Sequence, residues 1–329
     1  YCYSVDSLES ARSHAHQLQL KMYKDAKAFF KDLPAKQRLP SPGFAPDTGV
    51  PEILTTLHKK YTGVIIGETH SAVSSKKVII DHFDLFKKND VKTLYLEHLQ
   101  ADLHQLHLDA FSKTGHVSPR LNTFLRDLDN GYSIDPSSPY SFSNLVYNAQ
   151  KHGLRIIAID CVASYYTKGI AGPADIARPT LFSYGASQII RNHQAQTGSH
   201  KWIALVGNSH ANAHQGVPGL AELEGAISLR VADVKPGSQQ GITVDRGGVV
   251  KTDFIGSNVA FMKNDFLLEV EIPGKRPKTP SLTESQLEQT LPETGQFLFD
   301  KDLQHWPELI HRSSSREILR TPLQTDAEG

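Results

Sequence analysis

The sequence predicts an α/β fold: a mainly parallel sheet flanked by helices, with an N-terminal helical segment and a C-terminal β appendage and tail. Two observations carry this. Short apolar runs alternate with stretches of helical period from about residue 61 onward, the signature of βα units. Each apolar run also stops at a polar, ionisable cluster. Three segments follow: an N-terminal helical segment and linker over 1–60, an α/β catalytic domain over 61–272, and a polar tail over 273–329.

Leu8 to Asp32 reads as a charged amphipathic helix with Leu18, Leu20, Met22, Tyr23, Ala26, Phe29 and Phe30 on its apolar side. Prolines 34, 40, 42 and 46 break it, and a short helix starts near Pro51, where proline suits the first turn. Strand 63–67 leads to a helix over 73–89, and strand 92–97 to helices near 100–112 and 119–129. A turn-rich loop spans 130–139. A helix near 141–152, strand 154–159, a long connection over 161–178, a helix near 179–196 and strand 201–206 complete the repeat. Ala226 to Val231 could add a strand, and 241–245 with 266–272 suggests the antiparallel appendage. The tail beyond Pro273 is rich in Pro, Thr, Ser, Gln and Glu, with one apolar patch at 297–310, and reads as wrapping the domain or partly loose.

Composition narrows the function. Lys+Arg and Asp+Glu both number 35, so no net field points to nucleic acid or an anionic membrane. No apolar run reaches the roughly 18–20 residues that span a bilayer. Cys2 and Cys161 alone make no disulfide framework. Tyr1-Cys2-Tyr3-Ser4 lacks a starting Met and any signal-peptide pattern, and reads as the cut edge of a longer protein.

The strand ends carry the chemistry, because ligands gather beyond the carboxyl ends of parallel strands. Val64-Ile65-Ile66 runs into Gly67-Glu68-Thr69-His70, where period two points Glu68 and His70 the same way. A carboxylate beside an imidazole orients the ring, which suits a general base or a metal-ligand pair. Gly67 would leave room for a ligand at the backbone. Trp202 to Val206 runs into Gly207-Asn208-Ser209-His210, so His210 would face the site and Asn208 could donate to an oxyanion. The second strand ends at Glu97-His98; Glu97 lies on the face of Tyr95 and is favoured for the rim, with His98 on the face of Leu96. Asp160 ends the third strand, and Tyr165 could wall a pocket. Cys161 is either a small buried residue or, paired with His70 or His210, a nucleophile. His210 and His214 have the spacing that chelates metal if helical.

A GExH strand end, a Glu at the next strand end and a distal GxxH resemble the superfamily uniting erythromycin esterase-like enzymes, haem-binding ChaN-like proteins and TIKI/TraB proteases. Gly67, Glu68, His70, Glu97, Gly207 and His210 carry the resemblance, over about residues 60–230. Gly67-Glu68-Thr69-His70 looks most like effector domains of large bacterial toxins of the Ras/Rap1-specific endopeptidase type. The resemblance implies Glu68, His70, Glu97 and His210 as a catalytic set. It also implies a secreted toxin acting in the host cytoplasm on a host protein, with a small GTPase as one candidate.

The reading is therefore a hydrolase of peptidase or esterase type. Glu68 or Glu97 would activate water, and His70 and His210 would polarise the carbonyl or protonate the leaving group. Asn208, Asp160 and Tyr165 would bind substrate. A mechanism without metal is favoured, although two histidines and two carboxylates could hold a divalent ion. The alternatives are a haem carrier using Tyr165, Tyr166 or a histidine, a host-protein-binding module, and a hydrolase built on Cys161.

Overall fold

The computed structural model describes residues 5–33, 38–165, 174–238, 240–251 and 259–272. The expected tail over 273–329 and Tyr166 lie outside them. The chain opens with α1 (Val5–Lys31) and α2 (Val50–Lys60), the latter with proline in its first turn. Then come β1 (Gly63–Glu68), α3 (Ser74–Ile80), α4 (Phe83–Lys88) and β2 (Val91–Gln100). Next are α5 (Ala101–Thr114), α6 (Pro119–Gly131), α7 (Phe142–Lys151), β3 (Arg155–Asp160) and the one-turn α8 (Val162–Tyr165). The long α9 (Ala174–Thr197), β4 (Lys201–Gly207), α10 (Asn208–Ala211), α11 (Leu220–Glu224) and β5 (Ile227–Val234) follow. Four short strands close the described chain: β6 (Gly241–Val244), β7 (Gly248–Lys251), β8 (Val259–Met262) and β9 (Phe266–Glu271).

Seven strands form one sheet in the order β3-β2-β4-β1-β5-β9-β6. Every pairing is parallel except β6 with β9. The expected appendage is thus continuous with the main sheet, because β9 pairs parallel to β5 from Leu229↔Phe266 to Val234↔Glu271. Sequence alone shows the antiparallel pair but not the long-range pairing that docks it.

Period two sorts the core onto two faces. Ile66, Leu94, Leu96, Ile203 and Leu205 pack beneath residues of α2 through α7, including Leu57, Phe83, Phe86, Leu125 and Phe142. Ile65, Tyr95, Ile157, Trp202 and Ala204 face Phe182, Ala186 and Ile190 of α9 and Leu220 of α11. Each fully buried aliphatic or aromatic side chain contributes about 1.5–3 kcal/mol, so both layers hold the strand ends firmly. The expected helix over 73–89 is two helices, broken at Asp81–His82. β2 runs on to Gln100, three residues past its expected end, and its register with β3 shifts between Leu96 and Gln100. Such irregularities re-aim side chains, and Glu97 and His98 sit inside this one.

Candidate active site

Glu68, at the end of β1, points to the face shared by Ile66 and is completely buried. Its Oε1 lies 2.9 Å from His98 Nε2 and 3.2 Å from His70 Nδ1, and the two ring nitrogens are 2.8 Å apart. Its Oε2 accepts from Ser75 Oγ and from Lys76 Nζ at 3.0 Å. Ser75 and Lys76 are supplied by α3, whose first turn is anchored when Asp233 accepts from the Ser74 amide at 2.8 Å. The ring of Phe142 packs 4.3 Å from His98 and 4.3 Å from the Lys76 ammonium, centroid to ring and centroid to nitrogen. Buried Asp129 holds Phe142 there by accepting from its amide at 2.6 Å and from Ser143. Burial raises the Glu68 pKa, but Lys76, His70 and His98 more than reverse it, and the carboxyl lies well below the usual range. Burial lowers His98 to about 4 despite Glu68.

Glu97 occupies the other face, as its alternation with Tyr95 requires. Its Oε2 accepts from the Gly207 amide at 2.6 Å, and its Oε1 lies 3.2 Å from Arg178 Nη2 and 3.4 Å from His210 Nε2. Arg178, from α9, donates to Asp160 Oδ2 at 2.6 Å and so ties the ends of β2 and β3 together. Its guanidinium lies 5.4 Å from the Tyr165 ring centre and 5.0 Å from that of Phe182. Phe182 in turn packs on His210, centroids 4.3 Å apart. Burial raises the Glu97 pKa; His70 and Arg178 oppose it without reversing it. Burial also drives His210 well below its ordinary value, helped by Arg178 and His70, so its ring is neutral.

His70 joins the two halves. Its Nδ1 belongs to the Glu68 cluster, while its Nε2 edge faces Gly207. A Cβ added at Gly207 would lie 3.1 Å from His70 Cε1, 3.3 Å from Nε2 and 3.5 Å from Glu97 Oε2. The glycine therefore leaves open the space between the imidazole and the second carboxylate. A cleft of about 50 Å³ opens beside it, lined by His70, Glu97, His98, Tyr132, Asp160 and Arg178 among others.

Two cofactor fits can be tested on these donors. Glu68, His70 and His98 offer three ligand atoms within 4.8 Å of one another, a spacing a divalent ion could use. The Lys76 ammonium, however, already neutralises that carboxylate from 3.0 Å, and the donors sit at hydrogen-bond separations of 2.8–3.2 Å. Donors about 2.1 Å from a tetrahedral ion are roughly 3.4 Å apart and those of an octahedral ion roughly 3.0 Å, so the spacing admits an octahedral ion and it is the Lys76 charge on the same carboxylate that opposes one. Among the described residues haem does not fit: Tyr165 packs on Arg178, and the cleft is far below the ~300 Å³ or more of cofactor pockets.

The fold brings together Glu68, His70, Glu97 and His210, with Asp160 and Tyr165 on the Glu97 side. Asn208 is placed elsewhere: it lines a second cavity of about 240 Å³ with Thr69, Ser71, Arg230 and Asp233, and accepts from Asn264 at 3.4 Å. Gly67 makes room for this Asn208 carbonyl, 2.7 Å from where a Cβ would sit, rather than for a ligand. The Cys161 thiol is buried against Met22 and Ser164, and burial with Asp102 and Asp160 pushes it up to about 12. That is a packing thiol, not an activated one. α10 ends at Ala211, so His210 and His214 do not share a helical face.

Four residues of the cluster escape sequence reasoning or are underrated by it: Ser75, Lys76, His98 and Arg178. Nothing in the run Ser74-Ser75-Lys76-Lys77 marks one lysine for burial, yet Lys76 turns inward while Lys77 pairs with Asp81. Arg178 meets Glu97 across 81 residues of sequence, and local pattern carries no sign of that contact.

No protein-family model matches the chain. A stretch of 201 residues is 29% identical to the multifunctional-autoprocessing repeats-in-toxin of Vibrio vulnificus, covering 56% of this chain and 3% of the toxin. The chain is similar to a toxin. The crystal structure of RRSP, a MARTX toxin effector domain from Vibrio vulnificus, is 25% identical with a TM-score of 0.48, covering 66% of this chain and 38% of that one. The haem-binding ChaN of Campylobacter jejuni is 12% identical with a TM-score of 0.37, over 66% and 90% of the two chains. Both structural likenesses are partial, and the sequence match sets part of this chain beside a stretch of a toxin. It spans only a small fraction of the curated relative.

Proposed function

We propose that this chain is a hydrolytic toxin effector of endopeptidase type, with residues 61–272 as its catalytic unit. The supporting observation is the convergence of Glu97 Oε2 and His70 Nε2 on the space that Gly207 leaves open. Glu97 is the base: burial raises its pKa toward working pH, where a carboxylate accepts a proton most usefully. It takes a proton from water as the oxygen attacks the scissile carbonyl. His70 gives its proton to the departing amine as the C–N bond breaks, and the proton on Glu97 restores the pair. Glu68 and His98 fix the His70 ring through Nδ1, while the Gly207 amide, Arg178 and neutral His210 hold Glu97 in register. Asp160 positions Arg178, and Tyr165 walls the cleft on which substrate would rest.

The substrate is a host protein met in the host cytoplasm, after secretion, and the family resemblance makes a small GTPase the first to test. Purified small GTPases incubated with the protein and followed by intact-mass spectrometry should yield two fragments whose masses sum to substrate plus water. Glu97→Gln should yield none. Intact GTPases throughout would contradict this substrate, and intact proteins across a whole host lysate would contradict the peptidase reading.

A further inference from the structure

Among the described residues the side chain of Lys76 stands out, a lysine with no exposure at all. Lysine is rarely buried completely unless paired. Here its three donors are accounted for by Glu68 Oε2 at 3.0 Å, the His70 carbonyl at 3.3 Å and the face of Phe142 at 4.3 Å. The same carboxylate offers its other oxygen to His70 and His98, which with it make the only three-residue metal-type donor cluster among the described residues. Glu68 is thus shared between a lysine ammonium on one oxygen and a latent ligand set on the other.

We propose that Lys76 is the resident cation of this site: a positioning residue that supplies, on the other oxygen of Glu68, the charge a metalloenzyme would take from a divalent ion, and that excludes one. Its charge satisfies Glu68, and the fixed Glu68 oxygen then holds the His70 ring. A divalent ion on Oε1 would meet a like charge across one carboxylate in a site that water does not screen. Taking away that charge leaves Glu68, His70 and His98 free to close on a metal. The inference goes beyond the hydrolytic reading and is tested by binding, so it survives or fails independently of what the protein cleaves.

The full chain would be titrated with Co(II), followed by its visible ligand-field absorption and by calorimetry, for wild type, Lys76→Met, and Lys76→Met with His98→Ala. Lys76→Met should bind about 100-fold more tightly than wild type or better, and the added His98→Ala should abolish the gain. Wild-type binding as tight as that of Lys76→Met, lost on His98→Ala, would overturn the proposal. So would a folded Lys76→Met that binds no better than wild type. If Lys76→Met is unfolded without metal, Co(II) should restore its cooperative melting transition while leaving the wild-type Tm unmoved. Failure to restore it counts against the proposal as well.

Discussion

Glu68, at the end of β1, and Glu97, at the irregularity of β2 across the intervening β4, are both buried and are treated in opposite ways. Glu68 meets a lysine, a serine and two imidazoles, and is held ionised. Glu97 meets one arginine that it shares with Asp160, one backbone amide and a neutral histidine, and its pKa is raised. Burial alone would raise both. The unshared counter-ion decides the difference, and it divides the labour: one carboxylate holds a neighbour in place, the other is left able to move a proton.

Substitutions that keep shape and remove charge would break this contrast most sharply. Glu97→Gln should lower turnover by about 10²–10⁴-fold, while leaving stability within about 1 kcal/mol because Arg178 keeps Asp160. Glu68→Gln should do the reverse first: it strands the Lys76 ammonium without its charge partner and should cost about 3–5 kcal/mol in urea unfolding. Equal effects of the two on both readouts would erase the distinction. Gly207→Ala would push a methyl group into the space between His70 and Glu97, so activity should fall at least about tenfold with the fold retained.

Acid stability sharpens the comparison at a smaller scale. Glu68, with its folded pKa lowered, stabilises above its ordinary value of 4.5 and loses that as pH falls. Glu97, with its pKa raised, works the other way, since the native state binds the proton first and stability declines as pH rises from 4.5 toward the raised value. Four buried histidines add a larger acid loss: His58 at about 3, His98 at about 4, His104 at about 3, and His210, all lowered first by burial. The native state refuses protons that the unfolded chain takes up, so stability present above pH 6.5 is lost as pH falls through that value. His58 has no partner for either ring nitrogen among the described residues. His58→Leu should therefore remove about 2 kcal/mol of the loss between pH 6.5 and 5 in urea melts. Cys161→Ala should leave turnover unchanged, since its thiol meets Met22 and Ser164 rather than an imidazole.

Much of this was legible in the residues. Apolar runs followed by ionisable clusters give the strands and their carboxyl ends, and period two separates Glu97 from His98 correctly onto the faces of Tyr95 and Leu96. The counter-ions were not legible. Lys76 sits in a Ser-Ser-Lys-Lys run that any solvated helix start could show, and only the Asp233 anchor and the Phe142 wall turn it inward. Arg178 precedes Pro179 inside a helix that the sequence starts at 179, and its partners come from two other strands. Asn208 sits one residue past a strand end, where an oxyanion donor is expected; the turn into α10 sets its side-chain carbonyl against Asn264 and the side chain in the second cavity. Local pattern locates where charge gathers; which charges neutralise one another is set by contacts across the fold.

The most direct test of the unequal glutamates is carboxyl ¹³C NMR of the glutamate-labelled protein across pH 7 to 4, with Glu97 assigned from its loss in Glu97→Gln. The Glu97 resonance should titrate above 4.5, while that of Glu68 stays at its ionised position down to 4.5 and below. A Glu68 resonance that titrates above 4.5, or a Glu97 resonance still ionised beneath it, would contradict the division of roles between the two carboxylates.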